Sequence, residues 1–346
     1  MPPPLAISMG DPAGIGPEVI LKAASQLARK RPIPAVVVVG DLGAMRAAAR
    51  RLSAVPEPYS WRAGERPVPL SRGLPVLSLD ELSAAAMRPG APSLEGAKGA
   101  YNYIVKGARM ALAGEASGLV TAPINKEWLN RAGFHFAGHS ELLAKTSRTR
   151  LWRMMFAGEQ LKLVLVTVHV GLARVSRMLN RDRVFQTIRL IDEHLRTEFG
   201  IARPRLGVLG FNPHAGENGL FGNEEIRAIA PAIAQARRSG IDAHGPIPPD
   251  TAFIRPSGAF DFDAAVAMYH DQGLIALKTL EFDRAVNITL GLPIVRTSPD
   301  HGTAYDIAGT GKANAKSMMA AIDYAWRAAA RRQQRALRAA QQGAHG

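Results

Sequence analysis

The sequence contains no cysteine, few aromatic residues and no hydrophobic run long enough to cross a bilayer. Without cysteine, a disulfide framework, a thiolate nucleophile and a thiolate metal site are all excluded, which leaves His, Asp and Glu as metal ligands. The longest apolar stretch, 161–173, is interrupted by Lys162 and His169 and is too short for a transmembrane helix. Residues 1–10 lack the basic and apolar segments of a targeting signal. We therefore expect a cytoplasmic protein with no membrane partner.

Positive charge is abundant, since the formal net charge at pH 7 is +14. Such a balance is compatible with binding nucleic acid or an acidic substrate. Part of the excess lies on an Ala-rich C-terminal helix that carries Arg331, Arg332, Arg335 and Arg338, a pattern typical of a solvated helix face. Aromatic residues make up only 6% of the chain, too few for a stacking surface that binds single strands. We predict no nucleic-acid partner, and keep a basic nucleic-acid-binding protein as the alternative from another class.

Short runs rich in Val, Ile and Leu alternate with longer Ala-rich amphipathic segments over the 346 residues. The predicted strands are 35–39, 118–121, 161–168, 206–210 and 264–268, and the predicted helices are 17–27, 97–113, 181–197 and 223–238. This alternation is typical of an α/β protein with a largely parallel sheet. The length predicts two domains or two lobes.

Three of the nine histidines follow predicted strands directly: His169 ends VLVTVH, His214 ends GVLGFNPH and His270 ends AAVAMYH. The carboxyl ends of strands in open α/β sheets line the ligand crevice, so side chains there converge without long loops. For each histidine alone, a hydrogen-bonded structural role is the alternative. Together they favour a catalytic site for one divalent ion about as much as three structural roles, and imidazoles with oxygen ligands accept Zn, Co, Mn or Mg.

Two carboxylates lie in turns near these histidines, Asp250 in PPDTAF and Asp271 in YHDQG. Asp271 is placed to orient a ligand or to hold a substrate ammonium, and Asp250 to accept a proton. Asp is also a common turn residue, so a purely structural role is the alternative for both.

Lys278, Asn287 and Arg296 are spaced nine residues apart, and two cations with an amide suit a phosphate. Lys and Arg near strand ends are also commonly solvated. In GHSE, His139 and Ser140 are placed either to bond an oxyanion or to cap a helix that begins at Glu141. The Gly-rich segment 9–23 lacks both the standard dinucleotide fingerprint and the P-loop arrangement. A second Gly-containing segment, 301–314, is either a ligand-facing loop or a plain connection.

Seven segments resemble, in order, the 4-hydroxythreonine-4-phosphate dehydrogenase family of the pyridoxine pathway. They are GDPAGIGPE, TAPINK, GHSELLA, VTVH, GFNPHAGENGLFGNEE, YHDQG and VNITLGLPIVRTSPDHGTAYDIAGTGKAN. The first and last segments also resemble isopropylmalate dehydrogenases. The resemblance covers nearly the whole chain and implies an isopropylmalate dehydrogenase-like α/β/α fold with a mostly parallel sheet and a central cleft. It implies a cofactor-side domain of 1–125 with 300–346, and a metal, substrate and dimerisation domain of 126–299.

The resemblance also implies residue roles. His169, His214 and His270 match the family's metal ligands, one of them donated across the interface of a homodimer. The substrate-binding positions fall on His139, Ser140, Lys278, Asn287 and Arg296. The family usually has GHTE where this chain has GHSE, so Ser140 keeps the hydroxyl and loses a methyl group. Asp250, Asp271 and His139 are then the candidate catalytic residues.

By the likeness to isopropylmalate dehydrogenases, the loop 301–314 wraps the adenosine of NAD. Gly302 lies in this loop, Asp306 falls near the ribose hydroxyls and Asn314 near the adenine. An acid there accepts a bond from the 2′-hydroxyl of NAD and repels the additional phosphate of NADP.

The implied reaction is oxidation of 4-phosphohydroxy-L-threonine at its 3-hydroxyl by NAD, followed by decarboxylation to 3-amino-2-oxopropyl phosphate. The nearest alternative is a sibling enzyme that oxidises 4-phospho-threonate or 4-phospho-erythronate, which carry a hydroxyl in place of the amine. The two readings share the metal, cofactor and phosphate residues, so the groups that meet the amine would distinguish them.

Overall fold

A computed structural model describes residues 3–29, 34–255 and 258–343. The chain divides into two compact units, Met1–Arg150 with Leu292–Gln334 (unit 1) and Leu151–Gly291 with Arg335–Gly346 (unit 2). The borders predicted from the sequence, 125/126 and 299/300, differ from this division. Residues 126–150 lie in unit 1, where Phe134 stacks on Tyr101 with ring centroids 3.8 Å apart.

Twelve strands are formed by the described residues. In chain order they are β1 (Leu5–Ser8), β2 (Val36–Gly40), β3 (Pro58–Ser60), β4 (Leu74–Ser78), β5 (Leu119–Thr121), β6 (Arg153–Ala157), β7 (Lys162–Leu165), β8 (Arg205–Leu209), β9 (Asp242–Ile247), β10 (Ala264–Ala267), β11 (Val286–Leu290) and β12 (Arg296–Pro299). Many are buried along their whole length, which explains why they read as continuous apolar runs instead of alternating patterns.

The α-helices of the described ranges are α1 (Gly16–Leu27), α2 (Leu42–Ala49), α3 (Leu94–Leu112), α4 (Lys126–Arg131), α5 (His139–Thr146), α6 (Leu172–Met178), α7 (Arg181–His194), α8 (Ala230–Arg238), α9 (His270–Glu281) and α10 (Lys316–Gly343). Several begin at polar caps; Ser93, for example, accepts a hydrogen bond from the N–H of Gly96 at 3.0 Å. Within the described ranges, no helix combines the length and the apolar character needed to cross a membrane.

The strands of unit 1 lie in the order β3-β4-β2-β1-β5-β12, and every neighbouring pair is parallel. In unit 2 the order is β11-β6-β7-β10-β8-β9. There β7, β10, β8 and β9 are parallel, whereas β6 runs antiparallel to both of its neighbours. The predicted α/β class with a mostly parallel sheet is therefore confirmed.

The C-terminal end of α9 is tied to the turn between β6 and β7 by a buried carboxylate. Glu281 is 8% exposed and accepts hydrogen bonds from the backbone N–H groups of Glu159, Gln160 and Leu161, the latter two at 2.7 and 3.0 Å. Three donors on one carboxylate make a strong interaction, because the acceptor is charged and shielded from water. This contact fixes the helix whose first residue is His270.

Replacing Glu281 with glutamine is expected to lower the free energy of unfolding by about 1–3 kcal/mol, because an amide N–H₂ then faces backbone donors. Urea unfolding followed by circular dichroism measures the change. Glu159→Gln is the matched control, since its exposed side chain pairs only with Arg284 at 2.7 Å and is expected to change stability little. Equal unfolding midpoints for the two variants would contradict the assignment.

Candidate functional site

Two of the three predicted metal-binding histidines meet in unit 2. His169 follows β7, and His270 follows β10 as the first residue of α9; because β7 and β10 are parallel neighbours, both side chains emerge at the same edge. Their ring centroids lie 5.9 Å apart. They line a cavity of about 240 Å³ together with Thr167, Val168, Val170, Leu172, Val175, Tyr269 and Asp271.

The His169–His270 pair has the spacing of two ligands on one ion. An imidazole nitrogen lies about 2 Å from a bound zinc ion, so two rings that share the ion have centroids about 5–6 Å apart. Asp271 Oδ1 lies 2.6 Å from His270 Nδ1, which fixes Nδ1 as the donor and leaves Nε2 for a metal. The donor chemistry therefore fits a divalent ion. In the described parts of a single chain, however, no three His, Asp or Glu side chains converge as a metal-binding group.

His214, the third predicted ligand, stands on a left-handed turn that follows β8. The turn spans Pro213–Gly219, and five consecutive residues, 214–218, have positive φ between 42° and 84°. Such a conformation costs roughly 1 kcal/mol or more for each residue with a side chain. Gly216 has a φ of 84°, and a Cβ there would lie 2.7 Å from Glu225 Oε2, so a larger residue would be strained and would displace that carboxylate. Strain of this kind persists where the surroundings impose it, and is frequent at functional sites.

Two adjacent carboxylates hold the entry to this turn. Glu225 accepts hydrogen bonds from the backbone N–H groups of Phe211 and Asn212, at 2.7 and 2.8 Å, and both Glu224 and Glu225 accept from Asn212 Nδ2 at 2.8 Å. Burial raises the pKa of Glu224, but hydrogen bonds from Ser176 and Asn212 and the charge of Arg227 outweigh it and lower that pKa to about 2. The carboxylate is therefore ionised at neutral pH and keeps its role in the turn.

Large apolar side chains are exposed around His214. Leu220, Phe221 and Ile226 are 73%, 47% and 56% exposed, and the Phe221 ring centroid lies 6.1 Å from that of His214. Leu172, which lines the His169–His270 cavity, is 64% exposed. An apolar group of this kind is typical of a surface that another protein covers.

In unit 1, His139, Ser140 and Arg296 form a group of side chains at the first turn of α5 and the start of β12, which we call the anion pocket. Arg296 is 2% exposed and donates from one guanidinium nitrogen to Thr121 Oγ1 at 2.7 Å. Burial lowers the pKa of Arg296 to about 9, although the carboxylate of Glu141 opposes the shift. The side chain is still charged at neutral pH, and a buried guanidinium of this kind suits a bound anion.

His139 and Ser140 open α5 beside Arg296. Burial and the charge of Arg296 lower the pKa of His139 well below its usual range, despite an opposing hydrogen bond to the carbonyl of Ala122. His139 Nε2 is buried and has no hydrogen-bond partner among the described residues. Ser140 is 1% exposed. The helix begins at His139, two residues before the predicted start at Glu141, so both residues lie in its first turn.

The remaining predicted phosphate and catalytic residues belong to unit 2. Lys278 lies on α9 with its Nζ 5.7 Å from the ring centroid of Phe282, and Asn287 is a buried residue of β11 paired with Phe156 of β6. Asp250 is exposed in the segment that follows β9. The joint action of these residues with His139, Ser140 and Arg296 stays a prediction.

The loop predicted to bind the cofactor, 301–314, is anchored within unit 1 at two points. Tyr305 donates its hydroxyl to Asp11 at 2.6 Å, and Lys22 donates to the carbonyls of Gly311 and Ala313 at 2.6 and 2.8 Å. Burial raises the pKa of Asp11, and hydrogen bonds from Tyr305 and Ala13 oppose the shift. The three predicted cofactor residues, Gly302, Asp306 and Asn314, are all exposed on this anchored loop.

Sequence reasoning assigned no role to several residues that shape these sites. Thr121, Asp11 and Tyr305 lie inside or beside the quoted motifs. Thr121 is 175 residues from Arg296, and Asp11 is 294 residues from Tyr305, so no local pattern reveals either contact. Glu224 and Glu225 fall at the start of the predicted helix 223–238, and their spacing gives no sign that they bond the turn before it. The run GENG in the preceding segment was the one available signal, because Gly and Asn are the residues that tolerate left-handed backbone.

Known proteins resemble this chain over most of its length. The family model described as pyridoxal phosphate biosynthetic protein PdxA matches residues 32–325. A 4-hydroxythreonine-4-phosphate dehydrogenase of Geobacter metallireducens is 46% identical over 327 residues, which are 92% of this chain and 94% of that protein. A Bradyrhizobium diazoefficiens protein named as a D-threonate 4-phosphate dehydrogenase is 44% identical over 349 aligned residues, 94% of this chain and 96% of that protein. A crystal structure of 4-hydroxythreonine-4-phosphate dehydrogenase from Klebsiella pneumoniae matches with a TM-score of 0.83 at 42% identity, covering 95% of this chain and 98% of that chain.

Proposed function

Because this chain belongs to the family of the pyridoxal phosphate biosynthetic protein PdxA, we propose that it is an NAD-dependent 4-hydroxythreonine-4-phosphate dehydrogenase. The substrate is 4-phosphohydroxy-L-threonine. Its C3 gives up a hydride and its 3-hydroxyl a proton, which leaves a β-keto acid. Loss of carbon dioxide from that acid gives 3-amino-2-oxopropyl phosphate, a precursor of pyridoxal phosphate.

The observation that carries this proposal is the anion pocket of unit 1. A guanidinium that is 2% exposed, beside His139 and Ser140 at the start of a helix, has the chemistry of a phosphate site. Lys278 and Asn287 complete the set of substrate residues in the proposal. Fixing the phosphate positions the reacting carbon, which lowers the entropic part of the barrier.

His169, His214 and His270 are the proposed metal ligands. When bound, a divalent ion supplies a Lewis acid for the 3-hydroxyl and for the ketone that replaces it. Two of the histidines are paired in one chain and His214 is not grouped with them, so we propose a homodimer in which the partner copy completes each site. The exposed Leu220, Phe221 and Ile226 beside His214 support this arrangement. Metal analysis of protein purified without added ions would identify the ion among Zn, Co, Mn and Mg.

We propose acid–base roles for three further residues. Asp271 fixes the ring of His270 and so acts on the metal ligand. Asp250 is the proposed acceptor of the 3-hydroxyl proton, directly or through water. His139 has a lowered pKa and is therefore neutral at pH 7; its ring donates to the carbonyl of Ala122, so the buried Nε2 is left to accept a hydrogen bond from a ligand O–H in the phosphate pocket.

NAD, when bound, supplies the hydride acceptor, and the anchored loop 301–314 is its proposed adenosine site. The exposed carboxylate of Asp306 is placed there to repel the 2′-phosphate of NADP. Replacing Asp306 with alanine is expected to reduce the preference for NAD over NADP by about tenfold, since a single charge contact is worth about 1–2 kcal/mol in such sites. The ratio of kcat/KM for the two cofactors measures this. Asp323→Ala, which removes a half-buried carboxylate of α10 paired with Arg327, should leave the ratio as it is, and an unchanged ratio in both variants would remove Asp306 from the site.

A second candidate function is oxidation of 4-phospho-D-threonate. The relative named for that substrate is 44% identical to this chain, almost as similar as the Geobacter protein at 46%, so overall identity does not separate the two functions. Comparing NAD reduction on the two phosphorylated substrates tests the choice. A kcat/KM at least tenfold higher for 4-phosphohydroxy-L-threonine supports the principal proposal. A higher value for the threonate would instead assign the sibling function.

A further inference from the structure

Lys126 lies at the entrance of the anion pocket, although no role follows for it from the motifs. It is the first residue of α4, which Asn125 caps by accepting a hydrogen bond from Trp128 N–H at 3.0 Å. The Lys126 side chain then reaches the start of α5. Its Cε and Nζ lie 3.4 and 3.8 Å from the point where a Cβ on Gly138 would stand. These distances are ordinary van der Waals contact, so the end of the Lys126 side chain lies directly beside the N-cap of α5.

The start of α5 carries positive potential, and the first-turn carboxylate of Glu141 is the acidic side chain of the described residues that opposes it. Gly138 occupies the N-cap and offers no side-chain acceptor to the first-turn N–H groups. The positive end of the helix dipole thus faces the same space as the Lys126 ammonium group and the buried Arg296. Two cations and a helix N-terminus at one place favour a doubly charged anion over a singly charged one.

Only one carboxylate of the described residues opposes these charges here, that of Glu141. Its Oε2 lies 3.5 Å from the same point beside Gly138, is buried and has no hydrogen-bond partner among the described residues. Lys126 forms no ion pair within 4 Å with any described carboxylate, although its charge acts on His139 and helps to lower the pKa of that ring. The Lys126 side chain is therefore exposed, and its ammonium group lies near the anion pocket without an ion pair to a described carboxylate.

We propose that Lys126 is a further substrate-binding residue, whose ammonium group contacts the phosphate of the substrate at the N-terminus of α5. The identity of the ligand rests on the proposed function, whereas the phosphate contact itself does not. A flexible lysine at the entrance provides a point charge that follows the phosphate as it enters, and the buried Arg296 provides the fixed fork.

The test uses the full-length enzyme and the variant Lys126→Met, which removes the charge and keeps the chain length. We expect KM for the phosphorylated substrate to rise about tenfold or more, with kcat changed by less than about threefold and KM for NAD unchanged. Lys126→Arg should recover most of the affinity, because it keeps the charge. Lys145→Met is the matched control: Lys145 is an exposed lysine in the last turn of α5 and lies 5.3 Å from the Phe136 ring centroid. It should behave as the parent enzyme.

A second measurement does not depend on turnover. Inorganic phosphate should raise the melting temperature of the parent protein and of Lys145→Met, and raise it less in Lys126→Met. An equal shift in all three proteins, or an unchanged KM in Lys126→Met, would overturn the proposal. If the parent protein reduces NAD with neither substrate but Lys126→Met still loses the phosphate-dependent shift, the proposed function fails and the role of Lys126 stands.

Discussion

Replacing His169 with alanine is expected to abolish bound metal and NAD reduction together. His169 and His270 have ring centroids 5.9 Å apart, so removing the His169 imidazole leaves His270 without its paired ring in the proposed site. Loss of residues that merely orient a metal ligand costs about 10- to 100-fold in affinity or activity, so loss of a ligand itself should cost on the order of a thousandfold or more. Elemental analysis of the purified variant and a steady-state assay of NAD reduction measure the two effects.

The control for this variant is His244→Ala. His244 is an exposed histidine of β9 whose Nε2 lies 2.6 Å from Asp242, so it has the same chemistry without the proposed metal role. It should keep parental metal content and activity. Retained turnover of His169→Ala after treatment with a chelator would exclude His169 from the metal site.

Replacing Arg296 with methionine should remove most of the affinity for the phosphorylated substrate. The guanidinium is buried and bonds Thr121, whereas Lys126 is exposed, so Arg296 is the cation fixed inside the pocket. Truncating one partner of a buried charge pair costs about 2–5 kcal/mol, which corresponds to a loss in kcat/KM on the order of a thousandfold. The loss should appear in KM for the substrate, and KM for NAD should change little.

Two further variants distinguish an effect of Arg296 on substrate binding from an effect on protein stability. Arg296→Lys keeps the charge but loses the planar fork, so we expect an intermediate loss and a melting temperature close to that of the parent. Arg327→Met removes an exposed arginine of α10, paired with Asp323, and should leave the kinetics unchanged. A substrate KM within about threefold of the parental value in folded Arg296→Met would remove Arg296 from the phosphate site.

The regular part of the fold was predictable because its signal is local. Five strands were predicted within a few residues of their observed bounds, since buried parallel strands appear in the sequence as short β-branched runs. The recognised family is confirmed by the match over residues 32–325. Strand-end placement also led to His169 and His270, which the structure brings together because β7 and β10 are neighbours.

What the sequence did not reveal depends on long-range contacts or on unusual backbone. Glu281 bonds N–H groups about 120 residues earlier in the chain, and the bond between Tyr305 and Asp11 spans 294 residues. The position of His214 could not be inferred from strand placement, because the left-handed turn redirects the chain after β8. The predicted border at 125/126 cut through a segment whose attachment depends on packing, as the stacking of Phe134 on Tyr101 shows.

The left-handed turn has a consequence for which substitutions this protein can accumulate. Solvent-exposed positions normally accept many amino acids, and His214, Glu217 and Asn218 are all exposed. Here the backbone dihedral angles, and not burial, decide which residues are tolerated. Valine, isoleucine and threonine are the least compatible with positive φ, whereas asparagine, aspartate and glycine adopt it at low cost. Over these few positions, the amino acids that the fold tolerates are therefore a narrow set, although the positions are exposed in the single chain.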